Sequence, residues 1–221
     1  NGLYSFDGLN LTQRLNLAAD FPTAPTIVGV HNTPQGMLVV TRNQGLFRLV
    51  DNRLTPFKAP ISAALRRDQA FSFTTVDGTH YAFGTILNGV YITDLKGKII
   101  QHINKRRGLL NNTVLSLHYS RQGKLWLGMD FGIAAIELWS DLTYFSDQAG
   151  EVGSGHPAVL HEGTFYLGTN QGLYTCPWTA LDNGGQPFTF TLVPGSSGQV
   201  WTLYKAGGEL LCGHDRGLFR I

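Results

Sequence analysis

The stretch VLSLHYSRQGKLWLGMDFGI, residues 114–133, aligns without a gap on IVGVHNTPQGMLVVTRNQGL, residues 27–46. Each stretch has an alternating apolar strand, a turn closed by Gly123 or Gly36, a second apolar strand, a short polar turn and a third strand led by glycine. Alternation with a period of two is typical of β-strands with one buried face. The two stretches are therefore copies of one β-hairpin-based repeat.

The glycine that leads the third strand, followed by a branched apolar residue, recurs along the whole chain. It is found at Gly2, Gly45, Gly89, Gly132, Gly172 and Gly217, at intervals of 43, 44, 43, 40 and 45 residues. A fourth short apolar stretch follows in the complete copies, at 54–57, 99–103, 142–145 and 188–192. Four strands every 40–45 residues, without a long amphipathic helix, are the signature of β-propeller blades.

We therefore predict an all-β fold, a β-propeller of four-stranded antiparallel blades with strands a to d. Residues 1–221 are expected to form one propeller segment, with blades at about 1–19 (partial), 25–57, 69–103, 112–146, 156–193 and 198–221 (partial). Both partial ends contain a c strand, so they overlap instead of completing each other. This favours about five blades' worth of a larger propeller over a closed circle, although a ring with one redundant strand stays open. A β-sandwich is disfavoured because it does not require one motif to recur six times.

Composition agrees with a folded all-β chain and excludes several other classes. Of 221 residues, 27 are glycine and 14% are charged, while 43% are hydrophobic. Such a chain has ample material for a core, which excludes disordered and collagenous proteins. The net charge of +2 is too balanced to predict binding to nucleic acid. The two cysteines, Cys176 and Cys212, lack the spacing of a zinc site.

Strand a carries a small residue two positions after its first apolar residue: Gly29, Ser72, Ser116 and Thr202. We expect these small residues where neighbouring blades converge, because bulk has no room there. Two positions further, His31 and His118 are interpreted as hydrogen-bonded histidines and not as metal ligands, since no carboxylate occupies the equivalent position in the other copies. We predict no metal site and no cofactor.

The four tryptophans are assigned by their strands. Trp126 and Trp201 lie within strands b and a, so they are expected to be buried between blades, and Trp139 and Trp178 are expected to pack at the outer edge.

In an antiparallel blade, the b–c turns and the d–a connections leave the sheet at the same end. Basic and amide side chains concentrate in these connections, which favours binding of an anionic or hydroxyl-rich ligand. The alternative is an ordinary solvated loop surface. The predicted ligand-binding residues, called here the basic loop group, are Arg42, Asn43, Arg66, Arg67, Lys105, Arg106, Arg107, Asp130 and Arg216. We predict no catalytic residues, because the chain has no GxSxG, HExxH or GxxxxGK[ST] motif.

The segment NTVLSLHYSRQGKLWLGMDFGIAA, residues 112–135, resembles the two-component regulator propeller repeat. Leu125-Trp126-Leu127-Gly128 with Gly132-Ile133 carries the resemblance, and Tyr166-Leu167-Gly168-Thr169 with Gly172-Leu173 carries it again. Other copies depart from the motif: Val39-Val40-Thr41, Ala82-Phe83-Gly84 and Leu211-Cys212-Gly213 replace the strand that contains tryptophan.

This resemblance implies the periplasmic sensor region of a membrane-bound, often hybrid, histidine kinase that responds to oligosaccharides from polysaccharide breakdown. It implies propellers of about seven blades, an immunoglobulin-like domain or neighbouring propeller in the same chain, and a homodimer of the intact protein. We expect an oligosaccharide ligand, acidic if the basic loop group binds it. The alternatives are a propeller enzyme of the lactonase or lyase type and a protein-interaction scaffold, since fold does not fix function.

Overall fold

The computed structural model describes residues 2–16, 25–140, 150–182 and 189–221. The chain divides into two compact units, Asn1–Tyr144 and Phe145–Ile221. Strands dominate both units, and they assemble into antiparallel sheets in which chain neighbours are also sheet neighbours.

The first unit contains a two-stranded sheet, two four-stranded sheets and a three-stranded sheet. Their strands are β1 (Gly2–Phe6), β2 (Leu11–Asn16), β3 (Ile27–Thr33), β4 (Gly36–Thr41), β5 (Leu46–Val50), β6 (Arg53–Pro56), β7 (Ala70–Val76), β8 (His80–Thr85), β9 (Val90–Asp94), β10 (Ile99–Ile103), β11 (Val114–Tyr119), β12 (Lys124–Met129) and β13 (Ile133–Glu137). A short helix, α1 (Ser62–Asp68), joins the sheet β3–β6 to the sheet β7–β10, and a 3-10 turn covers Lys105–Arg107.

The second unit contains a four-stranded and a three-stranded sheet. Its elements are β14 (Gly155–His161), β15 (Thr164–Thr169), β16 (Leu173–Pro177), α2 (Trp178–Asp182), β17 (Thr191–Leu192), β18 (Val200–Ala206), β19 (Glu209–His214) and β20 (Gly217–Arg220).

The fold class is confirmed, because the sheets have the strand order of propeller blades and are antiparallel throughout. The two short helices are a departure from the sequence-based picture, which treated these segments as connections. The predicted d strand at 142–145 lies outside the described residues, as does Phe188 at the start of the stretch 188–192. The last two residues of that stretch, Thr191–Leu192, form β17.

The register of strand a slips at its start in every described blade, and the small residues lie at this bulge. The slip falls between Ala70 and Ser72 in β7 and between Val114 and Ser116 in β11. Each of these serines is paired with a strand b glycine, Gly84 or Gly128. A Cβ atom at Gly84 would collide with the Ser72 hydroxyl and lie 2.7 Å from Cγ1 of Val114 in the next sheet. The small residues are thus located where sheets converge, as predicted.

The b–c turns are closed by buried threonines at the ends of strands b. The hydroxyl of Thr41 donates to the carbonyl of Gly45 at 2.7 Å, and that of Thr85 donates to Gly89 at 2.9 Å. Thr169 makes the equivalent bond in the second unit, at 3.1 Å. Each hydroxyl also accepts a backbone N–H from within its turn. Because all three are buried, these b–c turns have fixed bases, among them the β4–β5 turn that carries Arg42 and Asn43 of the predicted ligand-binding residues.

The apolar core lies between successive sheets within each unit. One cluster joins β3–β6, α1 and β7–β10 around Leu38, Leu65 and Phe83. A second joins β7–β10 and β11–β13 around Ile92, Val114 and Leu127. In the second unit Leu173, Val200 and Cys212 form a smaller cluster. Within the described ranges, no helix has the length and apolar content needed to cross a membrane.

Candidate ligand-binding site

The first unit contains all of the basic loop group except Arg216. Arg42 and Asn43 lie in the β4–β5 turn, Arg66 and Arg67 on α1, Lys105, Arg106 and Arg107 in the 3-10 turn, and Asp130 in the β12–β13 turn. Arg216 lies in the β19–β20 turn of the second unit. The contacts of these residues separate those that hold the fold from those that are available to solvent.

Arg67 belongs to a buried polar network around Asp68. The Asp68 carboxylate accepts hydrogen bonds from Nε and Nη2 of Arg67, both at 2.8 Å. It also accepts the Tyr91 hydroxyl at 2.5 Å and Nδ2 of Asn88 at 3.2 Å. Asp68 is only 4% exposed. Burial alone would raise the pKa of Asp68, but these hydrogen bonds outweigh it and lower the pKa below its usual value.

The network extends to His102, whose ring stacks on Tyr91 with centroids 4.0 Å apart. Nε2 of His102 lies 2.7 Å from the carbonyl of Asn88 and therefore donates to it. Burial lowers the pKa of His102, so the imidazole is neutral at pH 7. Burial, reinforced by the bond to Asp68, raises the pKa of Tyr91. This end of the sheet β7–β10 is closed by mutually satisfied groups.

The 3-10 turn is anchored by Asn104. Its side chain accepts the backbone N–H of Arg106 at 3.1 Å and donates to Oδ1 of Asn88 at 3.2 Å. Lys105 and Arg106 project as exposed residues. Arg107 is half-buried, and this burial lowers the pKa of its guanidinium. The turn therefore presents two solvated cations on a base that is tied to the Asp68 network.

A different arrangement is found beside the first four-stranded sheet. A cavity of about 420 Å³, called here the α1 cavity, lies between the β4–β5 turn, the β6–α1 connection and α1. Its walls include Gln44, Leu46, Phe57, Lys58, Ser62 and Arg66. Leu46 and Ser62 are buried, whereas Lys58 and Arg66 are exposed. The cavity thus has a closed floor and a rim with two cations.

Backbone hydrogen bonds fix the wall of the α1 cavity. Phe57 N–H donates to the carbonyl of Leu46 at 2.8 Å, and Ala59 N–H donates to the carbonyl of Phe57 at 2.9 Å. Ser62 N–H donates to the carbonyl of Ala59 at 2.9 Å. Because these bonds join the c–d hairpin to α1, the shape of the cavity is set by the backbone.

Arg216 is engaged with its own loop in the second unit. Its guanidinium donates to the carbonyls of Ser197 and Gly195, the latter at 3.4 Å. Next to it, the buried His214 places Nδ1 2.5 Å from a carboxylate oxygen of Asp215. Arg216 therefore fastens the connection before β18 to the β19–β20 turn.

No group of three or more His, Cys, Asp or Glu side chains that could hold a metal lies within the described ranges. The predictions for the tryptophans have mixed outcomes. The prediction that Trp126 and Trp201 are buried is wrong, since Trp201 is 61% exposed and Trp126 is also exposed. Both lie on sheet faces that the described part of their own unit leaves uncovered. Trp139 packs on His80 of the preceding sheet, with ring centroids 4.7 Å apart.

Sequence reasoning missed Lys58, Phe57 and Gln44 as possible site residues. They lie in a d strand end and a b–c turn, and nothing in the repeat distinguishes them from their counterparts in other blades. The available signal was Pro56-Phe57-Lys58-Ala59-Pro60, where two prolines frame an aromatic and a cation before α1.

No family model matches the sequence, and no curated protein matches it. Among solved structures, the chain is similar to the extracellular domains of two hybrid two-component systems of Bacteroides thetaiotaomicron. One is 14% identical with a TM-score of 0.49, over 97% of this chain and 30% of that domain. The other is 17% identical with a TM-score of 0.46, over 100% of this chain and 31% of that domain. The chain thus spans about a third of their length.

A third similar structure is the virginiamycin B lyase of Staphylococcus aureus. It is 12% identical with a TM-score of 0.39, over 90% of this chain and 71% of the lyase. The solved structures that this chain resembles thus include extracellular domains of two-component systems and a lyase.

Proposed function

We propose that this chain is a ligand-sensing propeller segment of a two-component sensor kinase, located in the periplasm and responding to oligosaccharides from polysaccharide breakdown. The observation that carries the proposal is the set of exposed cations and amides that the first unit presents on rigid turns. Arg66, Lys105, Arg106 and Asn43 are all exposed. Guanidinium and ammonium groups suit carboxylate and sulfate oxygens, and amides suit sugar hydroxyls.

The turns that carry these groups are pre-organised, which supports binding over a purely solvated loop surface. The buried Thr41 hydroxyl closes the turn that carries Asn43, and the Asn104 side chain holds the turn that carries Lys105 and Arg106. Groups on fixed backbones lose less conformational entropy when a ligand binds. The same segment is proposed to adjoin a further propeller or an immunoglobulin-like domain and to act within a homodimer.

The test is calorimetric binding of neutral and acidic oligosaccharides to the chain and to the intact sensor. An acidic oligosaccharide should bind, and charge reversal of Lys105 and Arg106 together with Arg66 should weaken binding by about 10-fold or more. Arg67 is left intact, because its replacement would disrupt the Asp68 network instead of probing the ligand. A matched control reverses the exposed Lys96 and Arg121, which lie in the β9–β10 and β11–β12 turns.

The absence of binding by the intact sensor to every oligosaccharide in the panel would refute the proposal. The rival proposal, a propeller enzyme of the lyase type, predicts turnover of a cyclic ester that depends on added divalent cation. That activity would replace sensing as the function.

A further inference from the structure

We infer that the α1 cavity is a carboxylate-binding pocket that accepts one ring-bearing acid, with the carboxylate at the Arg66 and Lys58 rim and the ring on the apolar floor. The inference deepens the proposed function, because it names a ligand class for one part of the basic loop group. It is carried by the contacts of the cavity itself.

The rim of the α1 cavity carries positive charge that no carboxylate among the lining residues compensates. Among the described residues, neither Arg66 nor Lys58 forms an ion pair, and the ten residues that line the cavity include two cations and no carboxylate. The neighbouring Arg67, by contrast, is neutralised by Asp68. An uncompensated pair of cations at the mouth of a cavity attracts an anion, and a low-dielectric wall strengthens that attraction.

The guanidinium of Arg66 lies close to the β4–β5 turn. A methyl group added at Gly45 would lie 3.2 Å from Nη1 of Arg66 and 3.5 Å from Cβ of Ser62. The guanidinium therefore lies across the β4–β5 turn, at the edge of the cavity, instead of extending away into solvent. A planar fork in this position can donate two parallel hydrogen bonds to one carboxylate.

The floor of the α1 cavity is apolar. The floor is formed by the buried Leu46 and Ala59, with Phe57 beside them. The Arg48 guanidinium lies 4.5 Å from the centroid of the Phe57 ring and so holds that side chain in place. An apolar floor suits the non-polar face of a six-membered ring better than a flexible, fully hydroxylated chain.

The volume of the α1 cavity limits the size of the ligand. About 420 Å³ lies towards the lower end of the range of small-molecule pockets, which is roughly 300–1,000 Å³. One ring with its carboxylate fits within this volume. A longer acidic oligosaccharide would place one terminal residue in the cavity and extend the remainder towards solvent.

A ring carboxylate has two possible sources, a sugar acid or a carbocyclic acid, and the experiment separates them. Binding of D-glucuronate and of cyclohexanecarboxylate to the full chain is measured by NMR chemical-shift perturbation, with D-glucose and cyclohexylmethanol as uncharged counterparts. We expect at least one acid to bind and its uncharged counterpart to bind at least about 10-fold more weakly. Raised salt should lower the affinity for the acid. Binding by glucuronate alone assigns a sugar acid, and binding by cyclohexanecarboxylate alone assigns a carbocyclic acid.

Variants locate the site. Arg66→Gln and Lys58→Gln should each lower the affinity for the acid, and Arg66→Gln should lower it by about 10-fold or more. Arg121→Gln removes the same charge from the β11–β12 turn and should change the affinity by less than about twofold. Urea unfolding confirms that the variants fold. Equal losses in Arg66→Gln and Arg121→Gln, or no preference for the acids over their uncharged counterparts, would overturn the inference.

The two proposals fail in different ways. If an acidic oligosaccharide binds the intact sensor and Arg66→Gln leaves that affinity unchanged, the pocket is wrong while sensing stands. If the small acids bind at Arg66 and no oligosaccharide binds the intact sensor, the pocket stands and the proposed oligosaccharide ligand is wrong.

Discussion

Arg66 and Arg67 are consecutive residues of one short helix, and they have opposite roles. Arg67 makes two hydrogen bonds of 2.8 Å to a buried carboxylate in front of the second four-stranded sheet. Arg66 faces the first four-stranded sheet, at the rim of the α1 cavity, and forms no ion pair with any residue that the structure describes. One arginine holds the fold, and the other is available to a ligand.

The difference follows from helix geometry and from what each sheet offers. Consecutive helical residues point roughly 100° apart, so α1 directs its two arginines towards different sheets. The second sheet supplies Tyr91 and Asn88 to complete the shell of Asp68. The first sheet supplies Gly45, whose missing side chain leaves room for the Arg66 guanidinium. Residue type alone therefore does not identify a binding residue, whereas the partners in space do.

The largest effect is expected for Asp68→Ala. This change leaves the buried Tyr91 hydroxyl, and with it Asn88 and the exposed Arg67, without their common acceptor, so the free energy of unfolding should fall by about 2–4 kcal/mol. Asp130→Ala, at an exposed turn position, is the matched control and should cost less than about 0.5 kcal/mol. Urea denaturation measures both. Similar losses in the two variants would contradict the structural role assigned to Asp68.

The next effect compares the two arginines directly. Arg67→Met should reduce the free energy of unfolding by about 1–2 kcal/mol, a value kept low because the Arg67 side chain is 66% exposed. Arg66→Met should change it by less than about 0.5 kcal/mol, since no described acceptor is lost. Methionine keeps the helix propensity and the apolar stem in both cases. Equal destabilisation by the two variants would remove the contrast on which the ligand site rests.

Tyr91→Phe tests the network from the other sheet. The variant keeps the stacking on His102 but removes the 2.5 Å hydrogen bond to Asp68, which still retains Arg67 and Asn88. We expect a loss of about 1 kcal/mol in the free energy of unfolding. A double-mutant cycle with Arg67→Met should show coupling, because both groups bind the same carboxylate. Strictly additive losses would show that the two bonds act independently.

The smallest effect is a pH dependence. Since burial lowers the pKa of His102 in the folded chain, the unfolded chain binds its proton first as pH falls through 6.5. This contribution to stability is therefore complete above that pH and is lost below it. His102→Phe should flatten the decline in the free energy of unfolding between pH 7 and 5, measured by urea titration at each pH. An unchanged slope would show that His102 does not titrate differently on folding.

Much of the fold was predictable because its determinants recur. The period of the Gly-led third strand located the blades, and the alternation of apolar residues located strands such as β4 and β12. The helix α1 was not predictable in the same way. It occupies seven residues in a connection between two copies, and the repeat pattern covers the strands and not this connection, so the repeat provided no signal for it.

The site was predictable only as a region. Charge and amide content indicated the b–c turns and d–a connections, but could not show that Arg67 and Arg216 are held by Asp68 and by carbonyls of the 195–197 loop. The Gly195 and Ser197 carbonyls are distant from Arg216 in sequence, and Asp68, although adjacent to Arg67, is completed as an acceptor by Tyr91 and Asn88 of the next sheet. The exposure of Trp201 was missed for a related reason, because burial between blades depends on which sheet faces are covered and not on strand position alone.

The strand b glycines have a consequence for how such a chain can lengthen. Gly84 makes room for Val114, the first residue of the following sheet, and Gly168 makes room for Val200 in the same way. Each of these two repeats thus carries a recess that is filled by the valine at the start of the next sheet. A repeat that has both the valine and the glycine, as β11–β13 does with Val114 and Gly128, brings both halves of this joint with it when it is duplicated, so such a copy can extend the chain without a redesigned interface.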